Sequence, residues 1–238
     1  MEDLRESLLI MDIKEKNLLD KDLRKIWHQV PPDYYQNGVK SNLLQGVWHS
    51  GKLKAVFDLI DNSTDHPKKI LDIGCASGWF LSMISNRYPN AKCIGLDIYK
   101  KAIEYGQERY ENLEFLYADA HKLPFKNESF DLVICTEVLE HVENPEKVLT
   151  EIKRVLTPKG IAMVEMDTGN ILFRLVWHWW TNIRHGVWKD SHIHKFNTKI
   201  LESIISEAGF FVLSRKVFNY TMGIVFCLKK TIKNEYYK

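Results

Sequence analysis

The chain has 238 residues, 45% hydrophobic and 27% charged, so it is long enough to bury a full core without disulfides. Its 33 Lys and Arg against 31 Asp and Glu leave a formal net charge of +2, which argues against nucleic acid as the partner. The four cysteines, Cys75, Cys93, Cys135 and Cys227, show no CxxC or other metal spacing and read as reduced, mostly buried thiols.

Taken in chain order, residues 1 to about 30 carry apolar positions at helical spacing (Leu4, Leu8, Leu9, then Leu18, Leu19, Leu23, Ile26, Trp27) and predict one or two amphipathic helices ended by Pro31-Pro32. The start, MEDLRESLL, lacks the basic and apolar regions of a signal peptide, and the most apolar later stretch, Ile171 to Trp180, is too short and too interrupted to span a bilayer. The expected location is cytoplasmic, with peripheral membrane contact as an option. A polar connector holding Tyr34, Tyr35 and Gly38 follows, then a helix from about Leu43 to Ile60.

From Lys69 the pattern becomes short strands alternating with helices. ILDI, AKCIGLD, LEFLYA and FDLVICT are strands, and Trp79 to Tyr88, Lys100 to Tyr110 and Pro145 to Leu156 are helices. Asn144 with Pro145 at the first position starts the last of these. Pro158-Lys159-Gly160 predicts a turn into a fifth strand, Ile161 to Met166. Such alternation means a doubly wound parallel sheet. It lapses between about 168 and 196, a segment rich in Trp, His and Arg, before a helix at Thr198 to Ala208 and strands at Phe210 to Val217 and Gly223 to Leu228. We divide the chain into an N-terminal helical extension or lid, 1–66, and a main domain, 67–238, with a cap insert at about 168–196.

The stretch ILDIGCASGWF places a glycine loop between a strand and a helix. A dinucleotide fingerprint would need glycines at 74, 76 and 79, but here Ala76 and Trp79 occupy two of those slots, and no Lys follows Gly78 as a Walker loop requires. The loop is therefore not built around phosphates. Asp72 precedes it, and Asp97 ends the next strand at the separation of a ribose-binding carboxylate. A ligand with a ribose, a positive group and no bridging phosphates fits, and S-adenosylmethionine is such a ligand.

The motifs LDIGCASG, IGLDIYKKAI, YADAHKLPF and FDLVICTEVLEHVENPEKVLTEIKRVLTPKG stand in order over residues 68 to 167. In them the chain resembles the class I S-adenosylmethionine-dependent methyltransferases, in particular the small-molecule, quinone-biosynthesis-like "type 11" branch. The resemblance implies a Rossmann-like, doubly wound, mostly parallel seven-stranded sheet with an antiparallel last strand, plus the N-terminal helices and a helical cap insert. It implies S-adenosylmethionine as cofactor and S-adenosylhomocysteine as product. By position, Asp72, Gly74 and Gly78 should line the methionine moiety. Asp97 should hold the ribose with Ile98 against the adenine, Asp119 and Ala120 should meet the adenine edge, and Thr136 and Glu137 should border the sulfonium. Ala76 stands where many members have Gly, which is tolerable if its φ is negative. Each acid also has a plainer reading: Asp72 as a loop tie or cap, Asp97 as a strand-end acid, Asp119 as a turn residue.

His141, just past the fourth strand, is the candidate base for an acceptor hydroxyl, or else a structural histidine beside Glu137 or Glu140. His192 and His194, with His185 and Asp190 nearby, make only a weak metal signal, and we expect no metal. The acceptor pocket is expected from Tyr34 and Tyr35 on one side and from Trp177, Trp180, Trp188, His192 and His194 on the other. Aromatic walls imply a small apolar or amphiphilic acceptor, lipid-like or quinone-like, with O- or C-methylation favoured. Arg174, Arg184 and Lys189 could meet an acidic head group or a membrane surface. A catalytically silent scaffold or an N-methyltransferase is the rival reading. The chain is expected to act as a monomer or homodimer.

Overall fold

In the computed structural model, residues 29–64, 66–183 and 191–231 are described. The helices predicted before residue 29 lie outside them, as do Trp188, Arg184, Lys189, His185 and Asp190. Five short apolar runs form parallel strands: β1 (Lys69–Ile73), β2 (Lys92–Asp97), β3 (Glu114–Tyr117), β4 (Phe130–Thr136) and β5 (Leu156–Asp167). Two more, β6 (Phe210–Phe218) and β7 (Gly223–Lys230), close the sheet in the order β3-β2-β1-β4-β5-β7-β6. β7 is antiparallel to both β5 and β6, so it lies inside the sheet while β6 forms the edge.

The strands are apolar almost throughout because helices cover both faces. Leu71 and Ile73 of β1 face a core shared with Val148, Leu149 and Ile152 of α5 (Pro145–Val155) and Leu201 and Ile205 of α7 (Thr198–Glu207). Ile70 faces the other core, with Val56 and Ile60 of α2 (Leu43–Asp61), Leu81 and Ile84 of α3 (Trp79–Arg87) and Ile103 of α4 (Lys100–Arg109). By the same alternation Asp72 points with Ile70 toward α2, an acid among apolar neighbours. The four cysteines are free thiols and buried.

Two elements differ from expectation. The predicted connector forms a helix, α1 (Tyr34–Ser41), which stops at Asn42, whose side chain accepts from Leu44 N at 3.0 Å and so opens α2. α1 is held from outside its own sequence: Gln36 Nε2 donates to Ser77 Oγ of the glycine loop at 2.9 Å. The turn expected at Pro158-Lys159-Gly160 is instead an irregularity within β5. Pairing with β4 jumps from Phe130↔Leu156 to Leu132↔Ile161, and the surplus residues bulge without ending the strand.

The direction of winding reverses at β1, whose neighbours are β2 on one side and β4 on the other. Such a switch opens a crevice beyond the C-terminal strand ends. The glycine loop fills its floor with three left-handed residues, Gly74 (φ +75°), Ala76 (φ +46°) and Gly78 (φ +81°). The Ala76 methyl is thus carried at a positive φ, against the condition under which it was expected to be harmless. Its N–H donates to Asp97 Oδ2 at 2.8 Å, which holds the residue there. A left-handed non-glycine residue costs about 1–2 kcal/mol, and glycine gives back about 0.4–1 kcal/mol through the unfolded chain. Ala76→Gly should therefore raise the thermal midpoint by about 1–3 °C. A lowered midpoint in a thermal melt would contradict this account of the loop.

Candidate active site

The crevice holds a cavity of about 520 Å³, within the usual range for a small-molecule site. Its floor comes from strand ends: Gly74 and Ala76 after β1, Asp97 and Ile98 at and after β2, Asp119 and Ala120 after β3, Glu137, Glu140 and His141 after β4, and Asp167 at the end of β5. Its walls are aromatic. Tyr34, Tyr35 and Trp48 come from α1 and α2, and Phe173 and Trp177 from α6 (Ile171–His178). Trp180 comes from the π turn Trp179–Ile183 that continues α6, and His192 from the segment beyond.

Asp97 has a structural task as well as a place on the wall. Its Oδ2 takes the Ala76 N–H and its Oδ1 takes the Tyr99 N–H, both at 2.8 Å, so it ties the glycine loop to the start of α4. A carboxylate has about four acceptor sites, which leaves capacity for a ligand diol. Tyr99 Oη donates to Val30 O at 2.9 Å, which brings the segment before α1 over the same corner. Asp119 Oδ1 accepts from the N–H and Nδ1 of His121, both contacts near 2.7–2.8 Å. Burial alone would raise the Asp119 carboxyl, but the His121 bonds hold it below its ordinary value.

Three expected cofactor residues do not reach the wall. Gly78 turns the chain into α3, and a Cβ there would lie 2.4 Å from the Phe115 ring, so this glycine serves packing. Thr136 ends β4 off the cavity. Asp72 is buried beneath the loop with Oδ2 unbonded, and burial, only partly countered by Lys52, pushes its carboxyl up to about 8. Of the expected acceptor residues, His194 also faces away. Its Nε2 donates to Val142 O at 2.9 Å and its ring stacks on Phe196.

Several residues on or under the wall were not foreseen, chiefly Trp48, His49 and Lys52 of α2, with Glu165 and Asp167 of β5. Lys52 is 4% exposed, with Nζ 3.2 Å from Glu137 Oε1 and 3.9 Å from Glu165 Oε2. Burial works against its charge, but the two carboxylates more than offset that and hold it protonated. Glu137 would likewise be raised by burial, yet Lys52, His49 and the Trp48 Nε1–H bond at 2.5 Å bring it down to about 2. It sits at φ +54°, a strained backbone held by its surroundings, with its N–H on Glu165 O. Burial pushes Glu165 and Glu140 well up, and pushes Asp167 up to about 6. The legible signal was Lys52 itself: it falls at the apolar face of α2, three, four and seven residues before Ala55, Val56 and Leu59.

His141 Nδ1 is 2.8 Å from Ser191 O, so it carries the proton as donor and Nε2 carries the lone pair. The His192 ring lies edge-on to His141 at 4.9 Å and stacks on Trp177 at 4.6 Å. Burial lowers both histidines, His192 to about 4, which keeps them neutral near pH 7.

Residues 71–164, from β1 to β5, match a family model described as a methyltransferase domain, Methyltransf_11. Over these residues, somewhat under half of its length, the chain is similar to the methyltransferase domains of that family. Over 132 residues the chain is 30% identical to a malonyl-acyl-carrier-protein O-methyltransferase of Hahella chejuensis, a match over 55% of this chain and 46% of that protein. Over 99 residues it is 31% identical to a demethylmenaquinone methyltransferase of Thermotoga maritima, a match over 42% of this chain and 43% of that protein. The chain thus spans about half the length of these curated relatives. A methyltransferase structure from Aquifex aeolicus superposes with a TM-score of 0.60 at 15% identity, over 83% of this chain and 97% of that one, which shows the shared fold. S-adenosylmethionine is the methyl donor of this family. The cavity floor of this chain suits it: bare backbone at Gly74, a carboxylate at Asp97, and the apolar Ile98 and Ala120. Among the described residues no helix is long and apolar enough to cross a membrane.

Proposed function

We propose that the protein transfers the methyl group of S-adenosylmethionine to a small apolar or amphiphilic acceptor, with oxygen or carbon as the methylated atom. The observation that carries this reading is the single cavity in which the Gly74–Asp97–Asp119 floor meets walls of Tyr35, Trp48, Phe173, Trp177 and Trp180. The chemistry supplied by the cofactor is an electrophilic methyl on a sulfonium. The chain's own part is to bind, to align and to manage a proton. Asp97 accepts from a ribose diol, Ile98 packs against the base, and Asp119 and Ala120 meet its edge. Tyr34 and Tyr35 close over the cofactor side. The tryptophans exclude water and align an apolar acceptor, and alignment alone can supply about 7–11 kcal/mol of the barrier. Nε2 of His141, with its lone pair, is the group that takes an acceptor proton.

Calorimetry with S-adenosylmethionine tests the cofactor half. Asp97→Asn is the variant of choice, because it keeps one acceptor oxygen for the Ala76 or Tyr99 N–H while losing the charge. Wild type should bind, and Asp97→Asn should bind about tenfold or more weakly, the loss expected for a charge-assisted bond pair. Absence of binding by wild type rejects the reading. Equal affinity in the folded variant rejects the role of Asp97.

The cavity rim favours an acceptor drawn from a lipid phase. Leu44, Val47 and Val176 on the wall are 48%, 48% and 37% exposed, and Leu43, Ile171 and Leu175 beside them are more so. Monomeric proteins seldom leave such a patch open. Ile171→Glu/Leu175→Glu should abolish flotation with anionic liposomes while sparing cofactor affinity. Wild type that does not float removes the membrane reading.

A further inference from the structure

Glu140, His141 and His192 each offer a ligand atom, and these atoms lie within 4.8 Å of one another on the cavity wall. Glu140 is 2% exposed, and its Oε2 has no hydrogen-bond partner. We propose that these three side chains bind one divalent transition-metal cation, with Zn²⁺ the best match, and leave a coordination position open to the acceptor.

The donor set selects the cation. Two imidazoles and one carboxylate suit Zn²⁺, Co²⁺ or Fe²⁺ and disfavour the all-oxygen preference of Mg²⁺ and Ca²⁺. Three protein ligands beside a cavity are the pattern of a catalytic rather than a structural zinc site. With bonds of about 2.0–2.2 Å, the three atoms need to draw together by about 1 Å.

The imidazoles are already oriented. Ser191 O holds Nδ1 of His141, Asp167 Oδ2 lies 3.7 Å from Nδ1 of His192, and Trp177 stacks on the His192 ring. Backbone carbonyls and carboxylates on the far ring nitrogen are what fix metal-binding histidines elsewhere. The charges agree. Glu137, Glu140, Glu165 and Asp167 crowd this end of the crevice, and Lys52 makes its close contacts with Glu137 and Glu165, not with Glu140. A cation beside Glu140 would compensate a buried carboxylate that no described basic group meets at salt-bridge distance.

The binding itself does not depend on the methyl-transfer reading, but its use does. An acceptor hydroxyl at the open position would ionise more readily, as metal-bound water does. Its proton would pass to solvent and its oxygen would keep the electron pair that attacks the methyl group. The cation then takes over the task otherwise given to the His141 lone pair.

The test is a titration of chelator-treated protein with Co²⁺, followed by its visible d–d absorption and by Zn²⁺ displacement. One Co²⁺ per chain is expected, with bands of a four- or five-coordinate ion. Glu140→Gln and His192→Gln should each weaken binding about 100-fold or more, while His178→Gln, on an exposed face of α6, should bind as wild type. Absence of stoichiometric binding overturns the proposal, as does equal affinity in Glu140→Gln and His192→Gln. Should Glu140→Gln fail to fold, His192→Gln decides alone. S-adenosylmethionine affinity measured on the same samples separates the two readings. Protein that binds Co²⁺ but not S-adenosylmethionine keeps the cation site and loses the methyl-transfer reading. Protein that binds S-adenosylmethionine but not Co²⁺ does the reverse.

Discussion

Lys52→Met should destabilise the protein by about 3–5 kcal/mol, the cost of leaving a buried carboxylate without its counter-charge. The side chain keeps its length and apolar stem, so the loss is electrostatic rather than steric. Among the described residues Glu137 would retain the Trp48 bond and His49, and Glu165, with both oxygens already unbonded, would lose Lys52, the cation 3.9 Å from it. For a domain of this size the expected fall in thermal midpoint is about 10 °C. Lys52→Met/Glu137→Gln should recover more than half of it, because the charge that needed Lys52 is then gone and the two effects are not additive. Urea unfolding of the two variants measures both. A loss below about 1 kcal/mol in the single variant would mean that water already solvates this cluster.

Gly74→Ala should cost both stability and cofactor affinity. A Cβ there would lie 2.3 Å from Val138 Cγ2, and φ is +75°. The left-handed backbone costs about 1–2 kcal/mol and the overpacking about 1–3 kcal/mol more. The loop cannot move aside cheaply, since Gly74 N and Cys75 N both bond Leu96 O, at 2.8 and 3.1 Å. S-adenosylmethionine affinity should fall by at least about tenfold, a 1.4 kcal/mol loss, because the methyl group shifts the cavity floor. Val138→Ala added to it should restore the packing part and leave the backbone part. Full recovery in the double variant would assign the whole effect to the clash, and no loss in the single variant would remove Gly74 from the site.

Much of the scaffold was legible in the residues. Each parallel strand is an apolar run because both its faces are covered, and each break carries its own chemistry, as with Asn144-Pro145 before α5. The glycine loop and the acid ending β2 were legible because residue type and spacing mark them, although the bond that joins them, Ala76 N–H to Asp97, links two separate strand ends. α1 was not, because it is stabilised by Gln36 on Ser77 and by its packing on α2, neither of which leaves a local pattern. The bulge at Pro158–Gly160 looks like a turn in sequence. β4 pairs with β5 at both ends of it, at Leu156 and again from Ile161, and so keeps β5 one strand.

The sequence by itself determined the parallel sheet and the glycine loop after β1, and it carried the motifs in which the chain resembles the methyltransferases. These rest on short-range periodicity and on residue types at fixed spacing. The tertiary structure alone decided that Gly78 and Asp72 support the loop from behind, that Ala76 is left-handed, and that Lys52 meets Glu137 and Glu165. It also decided that the first histidine of HxH, not the second, joins Glu140 and His141. Those contacts join distant segments through burial, and burial, unlike periodicity, leaves no mark on either segment until both are folded.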